Sequence, residues 1–202
     1  MRRGFFGGSF DPVHWGHLLL AETAREFCSL DKVIFVPAGI PPHKADLKRA
    51  PGENRFKMLQ GALSRCPEYE VSRFEIDSPG VNYTVETLRH YRKTYPNDEF
   101  FLITGAETFM DIPGWYCPDE ICKLTSFIIA LRPGHPVPDF DRFRDLAPEI
   151  TRKQWAEQII PMPQIDLSST LIRKRRKEGK SIRFLTPETV ENYILQNDLY
   201  TK

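Results

Sequence analysis

The sequence predicts a doubly wound α/β fold, in which helices cover both faces of one parallel sheet. Short, almost wholly apolar runs such as Phe100–Ile103 and Phe127–Leu131 are typical of strands that are buried on both faces. Longer segments with helical periodicity alternate with these runs, which is the pattern of successive βαβ units. We therefore expect a Rossmann-like parallel sheet of five or six strands, with a C-terminal helical segment from about residue 165.

The elements follow this alternation along the whole chain. In the first half, the expected strands contain Phe5–Phe6, Val33–Val36 and Tyr69–Phe74, and the expected helices cover Leu18–Phe27, about 53–64 and Thr84–Tyr95. In the second half, a Pro- and Asp-rich loop over Pro133–Asp145 precedes a short helix, Ile159–Ile160 forms a last strand, and helices begin near Ser169 and Pro187.

Length and composition favour one domain over residues 1–202 and exclude several classes of partner. The 28 Lys and Arg against 27 Asp and Glu give a net charge of +1, so we expect no nucleic-acid and no membrane partner. No stretch approaches the roughly 20 continuous apolar residues that span a bilayer, and the four cysteines form no C-x-x-C pair. We expect a cytoplasmic protein with reduced thiols, and the oligomeric state stays open, a homo-oligomer included.

A glycine-led loop, Gly7–His17 (GGSFDPVHWGH), lies directly between the first expected strand and the first helix. In an open parallel sheet, ligands bind at the carboxyl ends of the strands, where a helix N-terminus offers free N–H groups. Gly7 and Gly8 allow a phosphate to approach the backbone closely. This loop is the expected phosphate-binding turn, with Asp11 shaping it through local side-chain bonding and Trp15 packing.

Two histidines, His14 and His17, stand three residues apart at the expected start of the first helix. At that spacing both side chains lean toward the same face and toward the helix N-terminus. Each imidazole can donate an N–H to a phosphate oxygen, and a bound polyanion would favour the charged form of a group whose pKa is ordinarily about 6.5. A lone histidine here is more often a cap or a packed polar residue, but the glycines and the second histidine favour a phosphate site.

The loop resembles the signature of the nucleotidylyltransferase superfamily, Gly-x-Phe-Asp-Pro-x-His-x-Gly-His, which Gly8–His17 matches throughout. Late in the chain, Leu167–Arg173 (LSSTLIR) resembles the second signature, Ile-Ser-Ser-Thr-x-Ile-Arg. Class I aminoacyl-tRNA synthetases share a shorter relative of the first signature, but 202 residues leave no room for their further domains. The resemblance implies that both signatures bind a nucleoside triphosphate. The residues expected to bind ATP in them are Gly7, Gly8, Ser9, Phe10, Gly16, Ser168 and Ser169.

The second signature also makes physical sense as an anion site. Hydroxyl residues at a helix start satisfy some free N–H groups and leave others for a ligand. Arg173, one turn further on, offers a rigid fork to the β- and γ-phosphates. The alternative is a capped helix with a solvated basic face, which we accept for the four cations at 174–177.

Two more segments, one after the second strand and one after the strand Phe100–Ile103, are expected to contribute residues at the same edge of the sheet. Lys44 follows the second strand in a Pro-Pro-His-Lys segment, which the pyridine-nucleotide branch of the superfamily also carries as Pro-Pro-His and a basic residue. Gly105 follows the strand Phe100–Ile103 at the level of an adenosine ribose, and the carboxylate of Glu107 can accept bonds from ribose hydroxyls. The family usually has aspartate where this chain has Glu107.

The segment Asn82–Leu88 (NYTVETL) resembles Ser-Tyr-Thr-x-Asp-Thr-Leu of bacterial nicotinate mononucleotide adenylyltransferases. It opens an expected helix, so N–H groups near Tyr83 and Thr84 can receive the carboxylate of the pyridine. A capped helix without a ligand is the alternative. His14 points to the same branch, because the phosphopantetheine branch typically has threonine there.

Trp115 follows Gly105 at the spacing of that family, where an indole can stack on a pyridine ring, although a tryptophan taken alone is usually a packing residue. Arg132, at the end of the strand Phe127–Leu131, is a further candidate for contact with either substrate.

The resemblance implies transfer of an adenylyl group from ATP to nicotinate mononucleotide, which yields nicotinate adenine dinucleotide and pyrophosphate in NAD biosynthesis. The catalytic residues expected to position the substrates and neutralise charge are His14, His17, Lys44 and Arg173. Mg²⁺ is expected to arrive on ATP, since no carboxylate cage for a protein-bound metal is visible. The alternatives are nicotinamide mononucleotide or phosphopantetheine as acceptor, and a nucleotide-sensing module that binds without turnover.

Overall fold

The structure, a computed structural model, describes residues 1–40, 49–132, 134–163 and 165–201. Within these ranges the strands are β1 (Arg2–Gly8), β2 (Lys32–Pro37), β3 (Tyr69–Val71), β4 (Glu99–Gly105), β5 (Ser126–Leu131) and β6 (Ile159–Pro161). They form one sheet in the order β3-β2-β1-β4-β5-β6, and every neighbouring pair is parallel. The predicted doubly wound parallel sheet is confirmed, with six strands in the described part of the chain.

The helices follow the predicted alternation with the strands. In the same ranges they are α1 (Trp15–Phe27), α2 (Gly52–Leu63), α3 (Phe74–Asp77), α4 (Thr84–Thr94), α5 (Ala106–Asp111), α6 (Pro118–Leu124), α7 (Arg152–Glu157), α8 (Ser169–Lys177) and α9 (Glu188–Gln196). Short 3-10 helices cover Ile112–Gly114 and Phe140–Phe143. No helix in the described ranges is both long enough and apolar enough to cross a membrane.

Adjacent residues of each strand pack on opposite faces of the sheet, since the side chains of a strand alternate. Phe5 and Ile34 belong to a core that includes buried residues of α4, α5, α6 and α7. Phe6 and Phe35, the next residues along, belong to a second core that includes buried residues of α1, α2, α8 and α9. The near-continuous apolar runs of the strands therefore reflect burial on both faces.

The position of the functional cleft follows from the strand order. The chain passes from β1 outward to β2 and β3, and then returns to place β4 on the other side of β1. Loops that leave β1 and β4 turn to opposite faces, which opens a crevice beyond their carboxyl ends. Gly8 ends β1 and Gly105 ends β4, so both glycines lie at this crevice.

One predicted strand was wrong in its extent. The alternating stretch Tyr69–Phe74 is extended only as far as Val71. The hydroxyl of Ser72 accepts a hydrogen bond from the N–H of Phe74 at 3.1 Å, and Phe74 begins α3. A local side-chain bond to the backbone thus ends the strand where the apolar pattern alone would continue it.

Candidate active site

A cleft of about 470 Å³ opens at the carboxyl ends of β1 and β4. Residues of β1 and α1, of the loops after β4 and β5, and of the segment entering α8 line it. Its polar side chains are His14, His17, Arg132, His135, Asp166, Ser168 and Ser169. Both sequence signatures, which are more than 150 residues apart in the chain, therefore meet at one cleft, as predicted.

The turn after β1 is built on a buried aromatic ring. Phe10 is only 1% exposed and has a backbone φ of 47°, in the left-handed region that non-glycine residues rarely adopt. Its ring centroid lies 5.3 Å from that of Phe6 and 5.1 Å from that of His17. A Cβ atom on Gly8 would lie 3.0 Å from the Phe10 ring, closer than an ordinary contact, so glycine best accommodates this packing. Gly7 is exposed and borders open space.

His14 and His17 form a stacked pair at the start of α1. The helix, predicted to begin at Leu18, begins at Trp15, so His14 is its N-cap and His17 is in its first turn. The two ring centroids are 3.7 Å apart, with an interplanar angle of 26°. The backbone N–H of His14 donates to Nδ1 of His17 at 3.3 Å. Because Nδ1 accepts, the neutral His17 ring carries its proton on Nε2 and can donate it to a ligand.

Both imidazoles are uncharged in the ligand-free fold. Burial and, to a smaller extent, the positive charge of Arg132 together lower the pKa of His14 from 6.5 to about 4. Burial also holds the pKa of His17 well below its usual range, with His14 and Arg132 adding to the effect. Nδ1 of His14 is buried without a hydrogen-bond partner among the described residues. The site therefore has donors and a positive field in place before an anion arrives.

Gly16 controls the position of the His14 ring. A Cβ atom on Gly16 would lie 3.1 Å from both Cε1 and Nδ1 of that ring. This is closer than an ordinary contact, so a side chain at this position would require the imidazole to shift relative to His17. Trp15, between His14 and Gly16 in the sequence, was predicted to pack against the rest of the protein. This was wrong: it is 46% exposed, because its position on α1 faces away from the core.

Arg55 of α2 binds the backbone of the turn after β1, a role that was not predicted from the sequence. It is only 3% exposed, and its guanidinium donates to the carbonyl oxygens of Ser9 at 2.9 Å, Ala38 at 2.7 Å and Ala50 at 3.1 Å. Ser9 follows β1 and Ala38 follows β2, so one side chain ties the two loops together. No sequence pattern distinguishes Arg55 from an ordinary helical arginine, because its partners are backbone carbonyls that only the folded chain brings to it.

Three side chains from the C-terminal region bind three consecutive carbonyl groups of the same turn. Nη1 of Arg173 donates to the carbonyl of Asp11 at 2.7 Å, and the hydroxyl of Ser169 donates to that of Pro12 at 2.8 Å. The hydroxyl of Thr186 donates to the carbonyl of Val13 at 2.7 Å. These bonds fix the second signature against the first.

Arg173 sits beside the cleft and is partly exposed. Its Nη2 donates to the hydroxyl of Thr170 at 3.2 Å, and its side chain retains 34% exposure. It is not one of the residues that line the cleft. Ser168 caps α8 by accepting the N–H of Leu171 at 3.1 Å. Ser168 and Ser169 line the cleft directly.

Asp11 was predicted to shape the turn by local bonding, and this was wrong. Its carboxylate is 2% exposed, and Oδ1 accepts from the N–H of Ala50 at 3.2 Å and from the hydroxyl of Tyr200 at 2.6 Å. Both partners come from other parts of the chain. The carboxylate therefore links the turn to distant segments of the chain.

The residues after β4 and β5 face each other across the cleft. Gly105 lines the cleft, and a Cβ atom there would meet nothing within 4 Å. Glu107 is 81% exposed, and its Oε1 lies 3.8 Å from Nδ1 of His135. His135 and the exposed Arg132 both line the cleft. His135 was missed because a histidine in a Pro- and Gly-rich loop carries no pattern of its own.

Tyr83, Thr84 and Trp115 do not line this cleft. Tyr83 is the N-cap of α4, and its ring centroid is 4.8 Å from that of Tyr116. Tyr83 and Trp115 are half-buried against the core under α4 to α7. The backbone N–H of Asn82 donates to the carbonyl of Ile40 at 2.9 Å, which places the N-terminus of α4 beside the loop that follows β2.

Lys44 lies outside the described residues. Among those that are described, no group of three or more His, Cys, Asp or Glu side chains could hold a metal ion.

The chain is similar in sequence to a known protein family and to named relatives. A family profile described as cytidylyltransferase-like matches residues 5–175. A probable nicotinate-nucleotide adenylyltransferase of Thermus thermophilus is 42% identical over 202 residues, which cover 99% of this chain and 100% of that protein. A protein of Thermoanaerobacter sp. with the same description is 41% identical over 205 residues, which cover 100% of this chain and 95% of that one.

Two solved structures share the fold. The nicotinic acid mononucleotide adenylyltransferase of Plasmodium falciparum, in complex with NaAD, has a TM-score of 0.74 at 17% identity and covers 98% of this chain and 97% of its own. A putative nicotinate-nucleotide adenylyltransferase of Vibrio parahaemolyticus has a TM-score of 0.70 at 19% identity, covering 100% of this chain and 97% of its own. At these identities the likeness supports the fold alone.

Proposed function

The chain belongs to the nicotinate-nucleotide adenylyltransferase family within the cytidylyltransferase-like proteins, and from this membership we propose that it transfers the adenylyl group of ATP to nicotinate mononucleotide. The products are nicotinate adenine dinucleotide and pyrophosphate. The observation that carries the proposal is the stacked pair of His14 and His17, which lines one cleft together with Arg132 and the serines of the second signature.

The reaction needs no nucleophile from the protein. A phosphate oxygen of the acceptor attacks the α-phosphorus of ATP, a new P–O bond forms, and the bond to the β-phosphate oxygen breaks to release pyrophosphate. Negative charge moves onto the leaving pyrophosphate, so the task of the site is to align two anions and stabilise that charge. MgATP is the substrate, and the ion arrives with the nucleotide.

The residues around the cleft divide this task. The Nε2–H of His17 donates to the triphosphate, His14 supports it from the stacked position, and Arg132 supplies positive charge. Arg173 and Lys44 are proposed to contact the β- and γ-phosphates from the side. Arg173 moves from its carbonyl partner on Asp11 to do so, or shares its fork between the two.

The remaining contacts to ATP come from backbone and small residues. Gly7, Gly8, Ser9 and Phe10 form the turn, Gly16 admits the His14 ring, and Ser168 and Ser169 offer the start of α8. Gly105 leaves open space for a ribose, and Glu107 is proposed to accept its hydroxyls. Residues 1–202 act as one catalytic domain, because the segment from about 165 onward is bonded to the turn after β1.

The acceptor is proposed to bind between the cleft and α4. The first N–H groups of a helix have no intrahelical partner, so those near Tyr83 and Thr84 can bind the pyridine carboxylate. The half-buried Trp115 offers a ring face for stacking. The amide of nicotinamide mononucleotide carries no negative charge, so this helix N-terminus favours the acid.

Pyrophosphate release tests the proposal directly. The purified protein is mixed with MgATP and, in separate reactions, nicotinate mononucleotide, nicotinamide mononucleotide or phosphopantetheine. We expect nicotinate mononucleotide to give at least about tenfold higher kcat/KM than either other acceptor. A tenfold preference for another acceptor would overturn the choice of substrate. ATP binding without pyrophosphate from any acceptor would instead identify a nucleotide-sensing module.

A further inference from the structure

Tyr200, beyond the end of α9, contacts the phosphate-binding turn at the other end of the chain. Its hydroxyl donates to Oδ1 of Asp11 at 2.6 Å. The ring packs against the core shared by α1, α2 and α9. Its backbone φ is 62°, in the left-handed region, and such a conformation persists only where the surroundings hold it. The N–H of the preceding Leu199 donates to the carbonyl of Ile194 at 3.1 Å, which holds this segment on α9.

Asp11 depends on this hydroxyl. The carboxylate is 2% exposed, and its Oδ1 accepts hydrogen bonds from the hydroxyl of Tyr200 and from the N–H of Ala50. Oδ2 has no hydrogen-bond partner within the described ranges, although Nη1 of Arg173 lies 4.0 Å away. Burial of a carboxylate is unfavourable unless donors satisfy it, so loss of one donor leaves Asp11 poorly held.

Asp11 in turn fixes the elements that meet the triphosphate. Its own carbonyl accepts Nη1 of Arg173 at 2.7 Å, and the next carbonyl, that of Pro12, accepts the hydroxyl of Ser169. His14 follows three residues later as the N-cap of α1. A shift of the Asp11 side chain therefore changes both the placement of the histidine pair and the docking of Arg173.

We propose that Tyr200 is a positioning residue for the transfer reaction, in which its hydroxyl holds Asp11 and thereby the turn that presents His14 and His17. The inference rests on the proposed function. Burial raises the pKa of the Tyr200 hydroxyl, and the charge of Asp11 raises it further, so the phenol stays protonated and remains a donor. Tyr200 touches no reacting group itself.

Tyr193 provides a matched control. It lies within α9, it is partly buried against the same core as Tyr200, and its hydroxyl donates to Oδ1 of Asn54 at 3.4 Å, away from the turn. Tyr200→Phe and Tyr193→Phe each remove one hydroxyl and keep the ring. We expect kcat to fall about tenfold in Tyr200→Phe with KM for MgATP within about twofold, and neither value to change in Tyr193→Phe. An equal fall in both variants would mean a general loosening of α9 and would overturn the proposal.

A double variant distinguishes positioning from an independent effect. Because His17 is one of the groups that Tyr200 positions, Tyr200→Phe should lower kcat by clearly less than tenfold in a His17→Ala background. A further tenfold loss in the double variant would show that Tyr200 acts elsewhere.

A measurement without turnover separates this inference from the proposed function. In the ligand-free protein, the NMR resonances of the His14 and His17 imidazoles should shift in Tyr200→Phe and stay in place in Tyr193→Phe. Unchanged resonances would overturn the positioning role even in an active enzyme. If the resonances shift but the wild type releases no pyrophosphate with any acceptor, the proposed function fails while the structural link stands.

Discussion

The rings of His14 and His17 are stacked with their centroids 3.7 Å apart, and the backbone N–H of His14 donates a hydrogen bond to Nδ1 of His17. This arrangement fixes the tautomer of His17 and directs its remaining proton to Nε2. Two uncharged imidazoles can stack at this distance, whereas two imidazolium ions would repel each other. The lowered pKa values of both groups keep the rings uncharged and are therefore consistent with their stacked arrangement.

His17→Ala should leave the fold intact and lower kcat by about 100-fold or more, because it removes a donor to the charge that develops on the triphosphate. The rate of pyrophosphate release at saturating substrates measures the effect. His90→Ala is the control, since His90 is exposed and stacks on Phe74 away from the cleft. An unchanged kcat in His17→Ala would show that the pair is not catalytic.

His14 should make the stability of the ligand-free protein depend on pH. Its folded pKa of about 4 lies below the ordinary value of 6.5, so between these values the unfolded chain binds a proton that the folded chain does not. The contribution is fully present above pH 6.5 and is lost as the pH falls toward 4. The difference between the two pKa values corresponds to about 3 kcal/mol.

Urea unfolding at neutral and acidic pH tests this linkage in the wild type and in His14→Gln. Between pH about 7 and about 4.5, the wild type should lose roughly 2 to 3 kcal/mol more unfolding free energy than the variant. Parallel losses in the two proteins would mean that His14 titrates near its ordinary pKa in the folded state.

Gly16→Ala should lower kcat by about tenfold or more, because the new methyl group would lie 3.1 Å from the His14 ring and displace it from the stack. Gly61→Ala is the matched control. Its Cβ atom would lie 3.4 Å from that of Thr189, an ordinary contact, and Gly61 is in the last turn of α2. We expect normal activity in the control, and full activity in Gly16→Ala would contradict the proposed placement of His14.

Arg55→Lys should destabilise the fold by about 3 kcal/mol, because one ammonium group cannot satisfy three carbonyl groups that lie on two different loops. Urea unfolding measures the loss. Arg65→Lys, at an exposed position just beyond α2, should change the unfolding free energy by less than about 0.5 kcal/mol. Equal stability of the two variants would show that the three bonds of Arg55 contribute little.

Several features of the site could be predicted from the sequence because they depend on local spacing. The interval between His14 and His17 places both rings on one face of a helix, and Gly8 and Ser168 mark the ends of elements at which ligands bind. The family resemblance is confirmed by relatives of about 40% identity over the full chain. The predicted extent of the strand over Tyr69–Phe74 was wrong, because the hydroxyl of Ser72 binds the N–H of Phe74 and the strand ends at Val71.

Other features could not be predicted, since they are contacts between distant segments. Arg55 reads as an ordinary helical arginine until α2 packs under the loops after β1 and β2. Thr186 and Tyr200 have no sequence pattern that directs them to the turn, and the partners of Asp11 are 39 and 189 residues away.

The sequence by itself therefore determined the type of fold, the two phosphate signatures and the chemistry that they support, because periodicity, glycine placement and residue type act over a few residues. Only the tertiary structure decided how the turn is held, which imidazole nitrogen is free and how far the pKa values fall. Those properties depend on burial and on hydrogen bonds between remote segments, and neither exists until the sheet and its two layers of helices have assembled.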